Sequence, residues 1–154
     1  MKRLCTLTAL IDTREQSPLD LLPLGTEQAS LPTGDHSAKG LEHIVAIERK
    51  SLDDLLGCVG RDRERFDKEV QKLLAYPVRV LLVEATWPQI ELGQWRGKIT
   101  SEQAIGSLLG WQASGLSIHM VGDHQRASKH AARLLFTVAK RRYRELRTLL
   151  EAEV

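Results

Sequence analysis

Apolar positions along this chain fall first in short runs and later at helical spacing. Leu4 to Ile11 is apolar with Thr and Cys interspersed and stops at Asp12, which predicts a first strand. Gln16 to Pro32 holds three prolines and a glycine and predicts loop with at most one helical turn. Glu42 to Glu48 predicts a second strand after a turn at Lys39-Gly40, with the Asp35 segment as its hairpin partner. Ser51 suits a helix N-cap, with Asp53 and Asp54 in the first turn where the helix dipole favours anions. Gly57 and Gly60 interrupt that helix, and a second segment runs from about Arg61 to Ala75. Phe66, Val70, Leu73 and Leu74 form its apolar stripe, and Pro77 ends it. Val78 to Val83 is nearly continuous β-branched residues and Leu, as in a central strand covered on both faces.

Trp87 to Gly97 reads as a loop or short helical connection, and Ser101 to about Ser114 as a helix. Leu116 to Val121 follows as a strand. Asp123 to about Leu150 forms a long amphipathic helix, with Ala127, Ala131, Leu134, Leu135, Val138, Leu146 and Leu149 on its core face. Strands come first and then alternate with helices, so the fold class is an α/β sandwich with a mixed sheet. No repeat or low-complexity linker divides residues 1–154, which are expected to form one domain.

Composition narrows the class. A length of 154 residues, 42% hydrophobic and 27% charged, is that of an ordinary globular domain with a real core. No apolar run approaches the roughly 20 residues that span a bilayer, and the amino terminus reads as strand rather than signal peptide. Cys5 and Cys58 stand far apart without a CxxC partner, so neither a zinc site nor a disulfide framework is indicated. A reducing cytoplasmic compartment, nucleoid-associated in a prokaryote, is the expectation. The net charge of +2 decides nothing by itself. Its distribution is more informative: Arg61, Arg65, Lys68 and Lys72 recur at helical spacing, and Arg126 to Arg147 contains eight Lys or Arg residues. Such faces either bind phosphates or are simply solvated.

Three acidic clusters fall at predicted strand ends: Asp12 to Glu15, Gly34-Asp35, and Glu48-Arg49-Lys50. Alternation along a strand puts Glu48 and Lys50 on one face and Arg49 on the other. Converging carboxylates repel unless a cation neutralises them, and hard oxygen ligands favour Mg²⁺ or Mn²⁺. A neighbouring lysine can orient or help deprotonate an attacking water, which together suits phosphodiester hydrolysis. Each piece alone has a plainer reading, as turn residue, strand end or, for Asp54, part of a helix cap.

Taken in order, these pieces resemble the XPF-type nuclease family, a branch of the PD-(D/E)XK superfamily. IDTRE at Ile11 to Glu15, GD at Gly34-Asp35 and ERKSLDD at Glu48 to Asp54 match its motifs, and the likeness runs from about Leu4 to Lys140. The resemblance implies a restriction-endonuclease-like three-layer sandwich, its central mixed β-sheet flanked by helices. It implies that Asp35 and Glu48 bind the divalent metal, Mg²⁺ or Mn²⁺, with the main-chain carbonyl of Arg49 as a further ligand. Lys50 would be the catalytic lysine, and Asp12 and Glu15 would complete the acidic pocket. Arg14 would hold a phosphate, Asp54 would be the motif's final acid, and Arg63 resembles a family arginine that supports DNA cleavage. Arg61, Arg65 and Lys68 join Arg14 and Arg63 as expected nucleic-acid contacts.

Two departures from the family stand out. His36 replaces the usual Tyr after Gly-Asp, with titration expected near pH 6 to 7, and the length leaves no room for a tandem helix-hairpin-helix module. Substrate choice would then come from the domain, from its dimer or from a DNA-targeting partner protein. The implied activity is a metal-dependent endonuclease acting on branched, flapped or junction DNA in repair or recombination. The alternative is a catalytically silent DNA-binding or dimerisation subunit, although such subunits lose motif residues that this chain keeps. By analogy a homodimer is expected through the second half, with Leu108, Leu109, Trp111 and the last helix as its surface. Among weaker signals, Trp95 is expected to pack on the domain with Arg96 and Lys98 incidental. His119 is expected to be a satisfied or edge residue, and His124 and His130 to lack acidic partners.

Overall fold

The computed structural model describes residues 7–152, so the first three residues of the expected first strand and Cys5 lie outside the described residues. The elements run β1 (Thr8–Asp12), β2 (Gly25–Ala29), β3 (His36–Ala38), β4 (Val45–Ser51), α1 (Leu52–Val59), α2 (Arg63–Leu73), β5 (Val78–Glu84), α3 (Trp87–Leu92), α4 (Ser101–Ala113), β6 (Ser117–Met120) and α5 (His124–Ala152). The strands form one sheet in the order β2-β1-β3-β4-β5-β6. β3 is antiparallel to β1 and β4, whereas β1–β2, β4–β5 and β5–β6 are parallel.

Strand alternation divides the core into two layers. Val45 and Ile47 of β4 and Val80 and Leu82 of β5 pack against Ala127, Ala131 and Leu135 of α5 and against Leu19, Leu21 and Leu24 of the β1–β2 connection. Ala46, Leu81 and Val83 point the other way, into Leu55, Phe66, Val70, Leu73 and Leu108 of α1, α2 and α4. Leu81 and Leu82 are both fully buried, which explains why β5 has no polar face. Truncating either to Ala is worth about 2–5 kcal/mol.

Local signals account for most element boundaries. The Ser51 hydroxyl accepts the Asp54 backbone N–H and starts α1. Thr86 with Gln89, and Thr100 with Gln103, form reciprocal capping boxes at the starts of α3 and α4. At Gly60 an added Cβ would stand 2.9 Å from the Ile99 Cδ1, so the tip of that side chain from the α3–α4 connection packs over the end of α1.

Three expectations are corrected. Gln16 to Pro32 is not all loop, because Gly25–Ala29 adds β2 beside β1 at the sheet edge; its exposed Thr26, Glu27 and Gln28 carry no hydrophobic alternation. In α5, Ala127, Ala131, Leu135 and Val138 are buried and Leu134 partly so, but Leu146 and Leu149 are 56% and 66% exposed. The helix there extends past the sheet it covers. Leu108 and Trp111 are buried within the domain, so of the three named α4 residues Leu109 alone is exposed.

Candidate active site at the strand ends

The carboxyl ends of β1, β4 and β5 and the start of β3 meet at one end of the sheet, where open α/β sheets commonly place ligands. Gly34 makes the approach of Asp35 possible. Its φ is +81°, and a Cβ there would stand 3.1 Å from the Ile47 carbonyl oxygen. Asp35 N–H then donates to that carbonyl at 2.8 Å, and the Arg49 N–H donates to Asp35 Oδ2 at 2.9 Å. Asp35 is thereby fixed beside Glu48.

On the face under α1, α2 and α4, Asp35 and Glu48 stand near Lys50, which among the described residues pairs directly with Glu48 alone. Glu48 is 8% exposed, and its Oε1 accepts from Lys50 Nζ at 3.1 Å. Burial, and next the neighbouring Glu48 charge, push the Asp35 carboxyl up to about 7. Burial also raises Glu48, against the pull of Lys50. Burial alone would lower the Lys50 amine, but the Glu48 charge leaves it raised overall. Its ammonium lies 5.5 Å from the Phe66 ring centroid, a second contact that favours the cation. Lys50 is therefore a proton donor and positive charge rather than a base at neutral pH. Cys58, buried nearby with Lys50, Glu48, Asp62 and Asp54 in electrostatic reach, has its thiol pushed up to about 11 and is not a nucleophile.

On the opposite face, under α5, one guanidinium contacts both neighbouring carboxylates directly. The Arg49 guanidinium bridges Glu15 Oε1 at 3.0 Å and Glu84 Oε1 at 2.6 Å, all three side chains being nearly buried. His124 Nδ1 meets Glu84 Oε1 at 3.0 Å and its Nε2 meets the Pro18 carbonyl oxygen at 3.3 Å. The expectation that His124 has no acidic partner is corrected, since Glu84 lies 40 residues away in sequence. Glu84 itself carried no sequence signal beyond its place at the end of an apolar strand.

Asp12 and Arg14 form a separate, closed unit. Asp12 Oδ1 accepts from Arg14 N and Nε at 2.8 and 3.0 Å, and Oδ2 accepts from Arg14 Nη2 and Leu31 N at 2.9 and 3.1 Å. Those bonds, led by the Arg14 side chain, hold the Asp12 carboxyl at about 2. Arg14 also donates to the Leu31 carbonyl oxygen, so Asp12 and Arg14 together tie the chain after β1 to the segment before β3.

His36 faces the α5 side, in register with Ile11 and Ile47, away from Asp35 and Glu48. It is fully buried, and burial lowers its pKa to about 4, correcting the expected titration near pH 6 to 7. Its Nε2 accepts the Leu19 N–H at 3.4 Å. The Asp54 carboxylate is exposed and makes no hydrogen bond or ion pair among the described residues; its backbone N–H serves the Ser51 cap.

Arg63 is tied to the fold. It pairs with Asp67 at 3.3 Å, donates to Ser107 Oγ at 2.7 Å, and lies 5.3 Å from the Trp111 ring centroid. Arg61, Arg65 and Lys68 stand exposed, each paired with an acid on or beside α2. Trp95 packs on the domain and donates to the Ile99 carbonyl oxygen at 2.8 Å, while His119 and His130 join ring nitrogens at 2.6 Å.

Among the described residues, no group of three or more His, Cys, Asp or Glu side chains is arranged to hold a metal ion. The candidate set is instead the Asp35–Glu48 pair with the Arg49 carbonyl. Mg²⁺ is commonly held by one or two carboxylates, water and substrate phosphates, so this donor set fits it. Such a cation would offset the burial, and next the Glu48 repulsion, that raise the Asp35 carboxyl. Among the described residues no helix is long and apolar enough to cross a membrane.

A mixed six-stranded sheet between two helical layers, with acids and a lysine at its strand ends, defines the restriction-endonuclease-like class of α/β fold. Residues 11–134 match the ERCC4 domain model, and the chain belongs to that family, a family of DNA nucleases. Its structure is similar to XPF from Aeropyrum pernix, with a TM-score of 0.68 and 17% identity over 92% of this chain and 69% of that one. It is likewise similar to XPF from Aeropyrum pernix in complex with DNA, with a TM-score of 0.68 and 19% identity over 87% of this chain and 65% of that one. Comparison with curated proteins finds no match.

Proposed function

We propose that the protein is a divalent-metal-dependent DNA endonuclease that hydrolyses phosphodiester bonds at branched, flapped or single-strand–double-strand junctions. The observation that carries this reading is the Asp35–Glu48 pair, a half-buried and a buried carboxylate at the strand ends, with the Lys50 ammonium 3.1 Å from Glu48. Asp35, Glu48 and the Arg49 carbonyl would hold Mg²⁺ or Mn²⁺. When bound, the metal would activate water and neutralise charge on the phosphoryl oxygens. Lys50, held by Glu48, presents an ammonium to the developing phosphorane charge or to the attacking water. Exposed Asp54 stands at the start of α1 with no side-chain partner among the described residues, and in this reading it orients water. Glu15 and Asp12 support the site through Arg49 and Arg14, and not as ligands.

Arg61, Arg65 and Lys68 supply phosphate contacts. Their exposed ion pairs cost little to exchange for DNA. We further propose a homodimer through the carboxyl-terminal part of α5, where Tyr143, Leu146, Leu149 and Leu150 are exposed. A monomer at micromolar concentration in light scattering would count against it.

The test is digestion of labelled splayed-arm, flap, duplex and RNA substrates in Mg²⁺, in Mn²⁺ and in chelator. The proposal expects metal-dependent cuts concentrated at DNA junctions and lost in Lys50→Ala. Preferential cutting of RNA would replace the substrate class, and junction binding without any cutting would favour a silent DNA-binding subunit.

A further inference from the structure

The Arg49 side chain and the Arg49 peptide serve opposite faces of the sheet. The peptide N–H donates to Asp35 Oδ2 on the candidate metal face. The guanidinium lies under α5 between Glu15 and Glu84, at 3.0 and 2.6 Å. One residue thus joins a candidate ligand to a buried ion-pair network on the far side of β4.

The network is poorly explained as a source of stability. Burying an arginine and two carboxylates carries a large desolvation cost, and apolar residues of similar volume commonly hold a fold as well. The Arg49 Nε is moreover buried without a hydrogen-bond partner, so the cluster is not optimised for its own sake. What it does achieve is definition of place. Glu15 follows β1, Glu84 ends β5, and Glu84 is held in turn by His124 at the start of α5. Three separate elements therefore fix the guanidinium. A guanidinium fork held at both ends leaves β4 little freedom to rotate at residue 49. The neighbouring strand adds to this, because Ser51 and Glu84 are register partners.

We propose that Glu84 is a positioning residue for the metal site: by clamping the Arg49 side chain it holds the Arg49 N–H on Asp35 and so aims the Asp35 carboxylate at the cation. This rests on the nuclease reading for the identity of the bound group. Outer contacts that orient a metal ligand commonly affect affinity by about 10–100-fold when removed. Glu84 touches neither substrate nor metal in this account and acts only through Arg49.

The test uses Glu84→Gln and Arg49→Lys in the full chain; the lysine keeps the charge but cannot fork between two carboxylates. Mn²⁺ binding is followed by electron paramagnetic resonance without DNA, and exchange of the Arg49 amide proton by NMR without metal. Thermal unfolding is measured alongside. The proposal expects Mn²⁺ affinity to fall about 10-fold or more in both variants, with faster exchange at the backbone amide of position 49. Cleavage should recover as Mn²⁺ is raised. A lowered melting temperature with unchanged Mn²⁺ affinity and unchanged amide exchange would reduce the clamp to a structural ion pair and overturn the proposal. If Glu84→Gln does not fold, Arg49→Lys decides alone. Wild-type protein that binds Mn²⁺ but cuts no substrate would refute the nuclease reading while the clamp is still judged on binding and exchange. Wild-type protein that binds no Mn²⁺ would refute both.

Discussion

The two faces of the sheet at the end of β4 hold similar charges in opposite condition. Under α5, Arg49 lies between Glu15 and Glu84, and each carboxylate has a cation at hydrogen-bond distance. Under α1, α2 and α4, the Lys50 ammonium pairs with Glu48 alone among the described residues, and Asp35 is pushed up to about 7. The same contrast appears between the two aspartates. Asp12 N–H donates to the Asp35 carbonyl oxygen at 2.8 Å, yet Asp12 is held at about 2 by Arg14 and two backbone N–H groups. Satisfied charges here hold loops and strands together. The unsatisfied pair is where an external cation has something to gain.

A large effect should come from Lys50→Ala, which removes the ammonium paired with Glu48. Cleavage of a junction substrate is expected to fall at least about 100-fold, with circular dichroism unchanged. In the separate Asp12–Arg14 unit, Asp12→Ala strands the Leu31 and Arg14 backbone N–H groups, and denaturant unfolding should report a loss of about 2–4 kcal/mol. Asp35→Asn should do the reverse. With no metal present at pH 8 it removes a carboxylate that resists ionisation, and the protein should gain about 2–4 kcal/mol. A loss of stability in Asp35→Asn would erase the contrast between the two aspartates.

Smaller effects follow from pH. The folded-state pKa of Asp35 is raised from 3.8 to about 7, so its contribution to stability is full below 3.8 and is lost as pH rises to about 7. The folded-state pKa of His36 is lowered from 6.5 to about 4, so its contribution is full above 6.5 and is lost as pH falls to about 4. Glu48, also raised by burial, adds a slope of the same sign as that of Asp35, so the two acids together outweigh His36 and wild-type stability should fall as pH rises through that window without metal. Replacing both acids, in Asp35→Asn/Glu48→Gln, should expose the His36 slope, with stability rising from pH 4 to 6.5. A flat profile in that variant would contradict the burial-driven shift at His36. The smallest change is Lys68→Ala on the exposed face of α2, within about 0.5 kcal/mol in stability. It should weaken DNA binding alike across sequences and lower the salt slope by about 1.

Much of this layout is legible in the sequence because the elements announce themselves locally. Ser51 caps α1, the Val78 to Val83 run is a doubly covered strand, and alternation sends Glu48 and Lys50 one way and Arg49 the other. The remainder depends on partners distant in the chain. β2 needs only backbone bonds to β1, so Thr26, Glu27 and Gln28 carry no apolar period. Glu84 and His124 meet only because β5 ends beside the start of α5. Leu146 and Leu149 follow the helical period faithfully, but the sheet stops short of them. His36 resembles a titrating surface residue in the sequence, and only its place between β1 and β4 keeps it neutral.

The most direct measurement compares wild-type protein with Asp35→Asn on a labelled splayed-arm DNA in Mg²⁺ and in Mn²⁺, after both are shown to be folded. The account predicts junction cleavage by the wild type in either metal, and none by the variant even at high metal concentration. Equal cleavage by the two proteins would contradict the assignment of the Asp35–Glu48 pair as the metal site.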